Sequence, residues 1–261
     1  MDSAKIKPTP RRFDFVVSLL ITLLSSWILV NVWRAVFAGS AAIRSKYTEP
    51  EFITYIAVAQ VVNLARMGLS NRQIVYRSMG YVRSGQIAID LVRPLDVQAM
   101  RYAEWAAVFL CDALLVAAPV WIVWYVFGGI GAPASPLYGV LFVVSFLLGW
   151  LVMSGLHYLV NMATIWSEDF LGIQMARTAL QEFFGGSLIP LAIMPPAFLA
   201  VAAVLPFQAI VFTPVWIYLG RLQGGALLWA LTVQALWGIG YLVLGRWLWR
   251  YAAPHLRVLG G

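Results

Sequence analysis

The sequence predicts an all-α polytopic membrane protein, six transmembrane helices with a re-entrant helical hairpin before the last one, and three observations carry that prediction. Of its 261 residues, 62% are hydrophobic and 11% charged, with a mean hydropathy of +0.82. A water-soluble core of this size cannot hide so much apolar surface. The net charge of +7 does not gather into a nucleic-acid patch. Its basic residues sit at the ends of apolar stretches, as they do in cytoplasmic loops of membrane proteins. Finally, residues 183–220 run for 38 positions without a charge and are broken by Pro190, Pro195, Pro196, Pro206 and Pro214. One span takes roughly 20 apolar residues, so this run is too long for a single crossing. Each proline removes a backbone donor, and lipid tolerates broken backbone only where protein or a cavity surrounds it.

The first crossing is predicted over residues 13–37, behind Lys5, Lys7, Arg11 and Arg12. Its apolar stretch exceeds the roughly 7–15 residues of a signal-peptide core, so the small residues Ala38, Gly39, Ser40 and Ala41 are expected to stay uncleaved. The second, residues 52–69, carries Gln60, Asn63 and Arg66 and should face other helices or a cavity. The third (102–127) and fourth (137–165) are joined by an uncharged Gly/Pro turn. The fifth covers 178–194. Residues 197–220 then form two short helices that enter and leave from one side. Pro195, Pro206 and Pro214 shape them, and Phe207 and Trp216 line or cap a path. The sixth crossing is 226–248. An even count puts both termini on one side, together with thirteen of the 18 basic residues, Arg177 included; Arg44, Lys46 and Arg221 fall opposite. That asymmetry predicts cytoplasmic termini. The whole chain, 1–261, reads as a single membrane domain.

The loop at residues 70–101 is the longest segment between spans. Within it Ser84 is placed as an N-cap and Pro94 as a stop. Gly85 gives a tight entry, and Ile87 and Leu91 form an apolar ridge flanked by Arg83, Asp90 and Arg93. Such a helix can lie on anionic headgroups or dock a soluble partner, and the residues alone leave both open.

No catalytic constellation is expected. The only lysines are Lys5, Lys7 and Lys46, and none closes a phosphate-binding loop. One cysteine, Cys111, and two histidines, His157 and His255, are too few for a zinc cluster. Ser154 and His157, three apart on one helix, read as a polar packing contact. Asp112, inside the third span, is expected to pair with Arg66 or Asn63. No cofactor or metal is expected on this chain.

Two segments, in this order and spacing, carry a resemblance. The first is Val82-Arg83-Ser84-Gly85 with Asp90-Leu91-Val92-Arg93-Pro94-Leu95-Asp96. The second is Phe184-Gly185-Gly186-Ser187-Leu188-Ile189-Pro190, followed by Leu205-Pro206-Phe207, Thr213-Pro214 and Tyr218-Leu219-Gly220. The chain resembles, over essentially its whole length, the ABC-2-type permease subunits of bacterial ATP-binding-cassette exporters. The resemblance implies that the first segment is a coupling helix fitting a groove in an ATPase subunit. It implies that the second is a re-entrant pair capping the path on its outer side. It further implies a bacterial cytoplasmic membrane location, ABC ATPase subunits that bind ATP and Mg, a second identical or homologous permease, surrounding membrane lipids, and no nucleic acid. Many such permeases begin with a longer interfacial helix. Here about twelve residues precede the first span, so docking is expected to rest on the loop. The apolar, weakly charged spans suit an amphipathic or hydrophobic cargo, a lipid, glycolipid or drug. The alternative is a secondary transporter or channel driven by an ion gradient, which inverted repeats would favour.

Overall fold

Backbone away from water satisfies its polar groups within its own helix, and the apolar stretches of this chain do so. The computed structural model describes residues 11–70, 96–163, 170–187 and 189–252, and the regular elements among them are helical. Helix α1 spans Arg11–Gly39, α2 Ala41–Arg44 and α3 Glu49–Ser70. Helix α4, Val97–Asp112, runs through a π-helical turn, Ala113–Ala117, into α5, Ala118–Phe127. Helix α6 is Pro136–Ala163 and α7 is Phe170–Phe184. After a 3-10 turn at Leu191–Ile193 come α8, Pro196–Val204, a second 3-10 turn at Pro206–Ala209, and α9, Phe212–Tyr218. Helix α10, Gly224–Ala252, ends the described chain.

Local chemistry sets these boundaries. Asp96 caps α4 by accepting a hydrogen bond from the Ala99 amide at 2.8 Å, so the helix begins at Val97, five residues before the predicted third span. The π turn precedes Pro119, which has no N–H to give and whose ring crowds the carbonyl four residues back. Widening the helix one turn earlier relieves that crowding.

Among the described residues four helical stretches are long and apolar enough to cross a membrane: Phe15–Gly39, Val97–Phe127, Pro136–Ala163 and Gly224–Tyr251. They match the first, third, fourth and sixth predicted spans. Of an apolar 18-residue stretch within each, only 11% in the first and 17% in the last is buried within the chain, and their exposed faces carry Leu20, Ile21, Leu24, Leu228, Leu236 and Val243. Apolar surface on that scale belongs in lipid or against another subunit. The second and fifth predicted spans are not among the four. Helix α3 is instead the most enclosed element, with Phe52, Tyr55, Ala57, Val58, Ala59, Val62 and Ala65 wholly buried. The fifth span requires a correction. It was expected as one helix over 178–194, but α7 stops at Phe184. Gly185 closes the helix onto the Gln181 carbonyl, and Gly186 turns into the left-handed region at φ 75°, a conformation that ends helices.

Helices α6 and α10 lie side by side in the same direction, because Ser145 meets Gln234, Leu151 meets Gly238, Gly155 meets Tyr241 and Tyr158 meets Gly245. Small residues permit the close approach. A Cβ on Gly155 would stand 2.5 Å from the Tyr241 Cβ. Gly155→Val is therefore expected to force the pair apart at a cost of about 1–3 kcal/mol or more, read as a lower melting midpoint in detergent. Gly240→Val, on the same helix pair with open space around it, should leave the midpoint near that of the wild type.

Candidate functional site

Prolines divide the uncharged run in the way the sequence suggests. Pro195 precedes α8 and Pro196 opens it, where a missing N–H costs nothing. Leu205 is extended, with ψ 150°, and Pro206 opens the 3-10 turn that follows; the residue before a proline disfavours helix. Pro214 sits in the first turn of α9 and is buried there, again where the amide has no helical partner. Phe207 is buried in the 3-10 turn, with its ring 6.4 Å from that of Phe184. Trp216 packs on Phe212 at 4.6 Å.

Both ends of this hairpin meet one loop, the connection between α2 and α3. On the entry side, Lys46 Nζ donates to the Ala192 carbonyl at 2.6 Å. On the exit side, Arg221 donates to the Lys46 carbonyl at 3.0 Å and pairs through two nitrogens with Glu51, one of them at 2.6 Å. Its guanidinium also lies 5.3 Å from the centre of the Tyr47 ring. The hydrogen bond to Glu51 holds Arg221 above its ordinary pKa. Burial pushes the Tyr47 phenol up, with Trp216 and Arg221 pulling it back. The exit is further fastened to the turn between α5 and α6. The Tyr218 hydroxyl donates to the Gly131 carbonyl at 2.9 Å, the Ala134 amide to the Tyr218 carbonyl at 3.1 Å, and the Gly131 amide to Thr54 Oγ1 at 2.9 Å.

The other end of the hairpin reaches into the bundle. The fully buried Gln234 of α10 donates to the Ala209 carbonyl at 2.6 Å and to the Ser145 carbonyl at 3.2 Å, while the Ser145 hydroxyl donates back to Gln234 at 2.8 Å. The backbone of Ala209 and Ile210 rests on Gly149, whose missing Cβ would lie 3.1 Å from both carbonyl oxygens. Gly149 is thirteen residues into α6, roughly 20 Å along it and about halfway down the helix. Sequence reasoning missed Gln234, Ser145 and Gly149. The available signal was a lone glutamine in an apolar span, a position that calls for a buried partner.

Beneath the hairpin lies a polar cluster. Arg66 of α3, 3% exposed, donates to Asn63 Oδ1 and to the Val62 carbonyl at 3.2 Å, and its Nη1 lies 3.8 Å from the Met153 sulfur. Asp112, expected beside Arg66 or Asn63, is not among the partners of either in these bonds; the two bond to each other, and Arg66 is otherwise held by the Val62 carbonyl and the Met153 sulfur. Arg177 also differs from expectation. It was counted with the cytoplasmic loops, but it lies inside α7 at 4% exposure, donating to Gln181 Oε1 at 2.8 Å and Gln174 Oε1 at 3.2 Å. These amides are one turn away on its own helix and can satisfy it there. The Ser154 hydroxyl turns back on its own helix, to the Trp150 carbonyl at 2.8 Å. His157 is buried with its ring 4.9 Å from Trp105, edge to face. The two do not form a nucleophile and base. Of the proposed coupling residues, Arg83, Ser84, Gly85, Ile87, Asp90, Leu91, Arg93 and Pro94 lie outside the described residues. Their neighbour Asp96, the cap of α4, takes an ion pair from Arg246.

Residues 31–257 match a family described as ABC-2 family transporter protein. No curated protein and no solved structure matches the chain. The matched stretch runs from within α1 almost to the end of the sequence and takes in the hairpin, the loop that holds both its ends and the polar cluster below. With apolar helices long enough to span a bilayer on either side of that hairpin, the chain is a multi-pass membrane permease and belongs to the ABC-2 transporter family.

Proposed function

We propose that this permease is the membrane subunit of an ATP-driven exporter that moves an amphipathic or hydrophobic molecule out across a bacterial cytoplasmic membrane. The observation that carries the reading is the hairpin. Its two ends share one loop, and its turn rests about halfway down α6, as a plug does that closes a path from one side. In this reading α3 and α7 complete six crossings, both termini are cytoplasmic, and the hairpin dips from the outer face. Residues 83–94 press on an ATPase subunit that holds ATP and Mg. This chain has no phosphate loop of its own, so nucleotide chemistry falls to that partner. A second permease, identical or related, supplies the other wall of the path. Closing of the ATPases moves the coupling segments and switches the path between inward-facing and outward-facing states. Arrival of cargo from the bilayer suits the large apolar faces of α1 and α10.

The test is partner capture. Ile87→Asp and Leu91→Asp each remove an apolar contact worth about 1.5–3 kcal/mol, which corresponds to roughly a tenfold or greater loss of affinity. Tagged wild-type protein taken from its native membranes should bring down an ATP-hydrolysing subunit, and both variants should insert normally yet lose it. A wild-type protein that purifies without ATPase activity, and still transports when an ion gradient is imposed, would favour the secondary-transporter alternative.

A further inference from the structure

Two guanidinium groups sit inside this protein among neutral partners. The hydrogen bonds of Arg66 go to Asn63, a backbone carbonyl and a thioether sulfur. Those of Arg177 go to Gln174, Gln181 and Thr178. Glu182, five residues beyond Arg177, is the one acidic side chain of α7, and its carboxylate accepts its hydrogen bond from Ser187. Among the described residues, the ion pairs are elsewhere and neither arginine has one. Among the described residues the group therefore sets two guanidinium charges against one carboxylate, an excess positive charge that is costly to bury unless a counter-charge arrives.

Its position says where such a charge would come from. Along α6, Gly149 carries the hairpin turn, and Met153, one turn further, touches Arg66. At the end of the helix that carries Arg177, Gly185 approaches the Phe207 carbonyl. Tyr55 of α3 donates to the Gly186 carbonyl at the end of α7 at 2.8 Å; Arg66 lies eleven residues along α3 from that contact and Arg177 nine residues back along α7, so at about 1.5 Å per residue the two stand at a similar depth below the start of the hairpin.

We infer that Arg66 and Arg177, framed by Asn63, Gln174 and Gln181, bind an oxyanion, phosphate or carboxylate, beneath the hairpin. The inference rests on the exporter reading and narrows its cargo to an acidic amphiphile. A guanidinium presents a planar fork that matches two oxygens of such a group. The side-chain amides hold the forks through their carbonyl oxygens and add no negative charge of their own. A permanent salt bridge would neutralise the site; amides keep it open to an anion that must come and go.

The experiment uses the purified full chain in neutral detergent. Affinity and melting midpoint are measured with lysophosphatidylglycerol, with a monoacylglycerol of the same chain length, and with inorganic phosphate. The acidic lysolipid should bind at least about tenfold tighter than the uncharged one and raise the midpoint. Arg66→Gln and Arg177→Gln should each remove that preference. Gln181→Glu, close to isosteric, puts a carboxylate where Oε1 now accepts from Arg177 at 2.8 Å. It should abolish the preference while raising the ligand-free midpoint, and it decides the matter if the arginine variants do not fold. Phosphate alone reproducing the shift would assign the oxyanion to a free ion; no shift with phosphate would assign it to a lipid headgroup; both keep the site. A wild type that binds the two lipids equally overturns the inference, as does a Gln181→Glu protein that binds the acidic lipid as tightly as wild type. No ATPase takes part in these measurements. A wild type without anion preference that still captures the ATPase sinks this inference alone. Anion preference in a protein that captures no ATPase sinks the exporter reading alone.

Discussion

A Gly186→Val protein is expected to lose the attachment of its hairpin and most of its transport. Gly186 is the turn between α7 and the hairpin, at φ 75°, where a residue with a Cβ is strained by about 1–2 kcal/mol. The space is also closed. A Cβ there would stand 2.9 Å from the Tyr55 hydroxyl, 3.2 Å from Leu191 and 3.3 Å from Phe212. Making room displaces the buried hydrogen bond from the Tyr55 hydroxyl to the Gly186 carbonyl, now 2.8 Å, and leaving its partners unsatisfied adds about 1–3 kcal/mol. Two controls divide the effect. Gly224→Ala introduces a Cβ at φ 52° with nothing within 4 Å and should show the backbone term alone. Tyr55→Phe keeps the ring, removes the donor and should show the hydrogen-bond term. The checks are the melting midpoint and cargo transport in vesicles. A Gly186→Val protein that melts with the wild type would mean that this turn does not hold the hairpin.

Long apolar runs with clear ends were legible in the sequence. Helices α1, α6 and α10 lie within one or two residues of the predicted spans where their ends are described, because lipid imposes a length and the flanking charges and turns mark the limits. The start of α4 was not, because Asp96 caps a helix only two residues after Pro94, and that proline reads as the end of one element rather than the approach to another. The fifth span failed for a different reason. Hydropathy sees the charge-free residues after Phe184 as one membrane segment, whereas the pair Gly185 and Gly186 decides that the helix stops. The hairpin's prolines were readable because each acts on its own backbone. The contacts that seat it, Gln234 on Ala209 and Lys46 on Ala192, join residues 25 and 146 positions apart and carry no local mark. Arg177 shows the limit of counting charge. Its burial is satisfied by Gln174 and Gln181, which share its helix face at spacings of three and four, and a count of basic residues by loop discards that spacing.

Replacing Pro206 and Pro214 together by alanine is expected to leave the protein inserted and nearly inactive. Each proline costs a helix interior about 3 kcal/mol relative to alanine, so the double change favours one continuous helix from Pro196 to Tyr218 by several kcal/mol. Such a helix would be roughly 35 Å long, enough to cross a hydrocarbon core of about 30 Å. Opposing it are the bonds that now bend the chain, Gln234 to the Ala209 carbonyl and Tyr218 to the Gly131 carbonyl. These are worth about 0.5–1.5 kcal/mol each and should not hold the turn alone. With the hairpin straightened, transport should fall at least about tenfold. The position of the segment is read with single cysteines in a Cys111→Ala background, since Cys111 is exposed and would react. Ala197 marks the entry. Gly220 would mark the exit, but a Cβ there would lie 2.6 Å from Ala134, so the exposed Gln223 takes its place. In the wild type an impermeant thiol reagent should reach both cysteines from outside. In the double variant one of the two should become reachable only from the cytoplasm, because a straight helix carries its ends to opposite faces. If the wild type already labels Ala197→Cys from one side and Gln223→Cys from the other, the segment crosses the membrane, and the hairpin is not a plug entered from a single face.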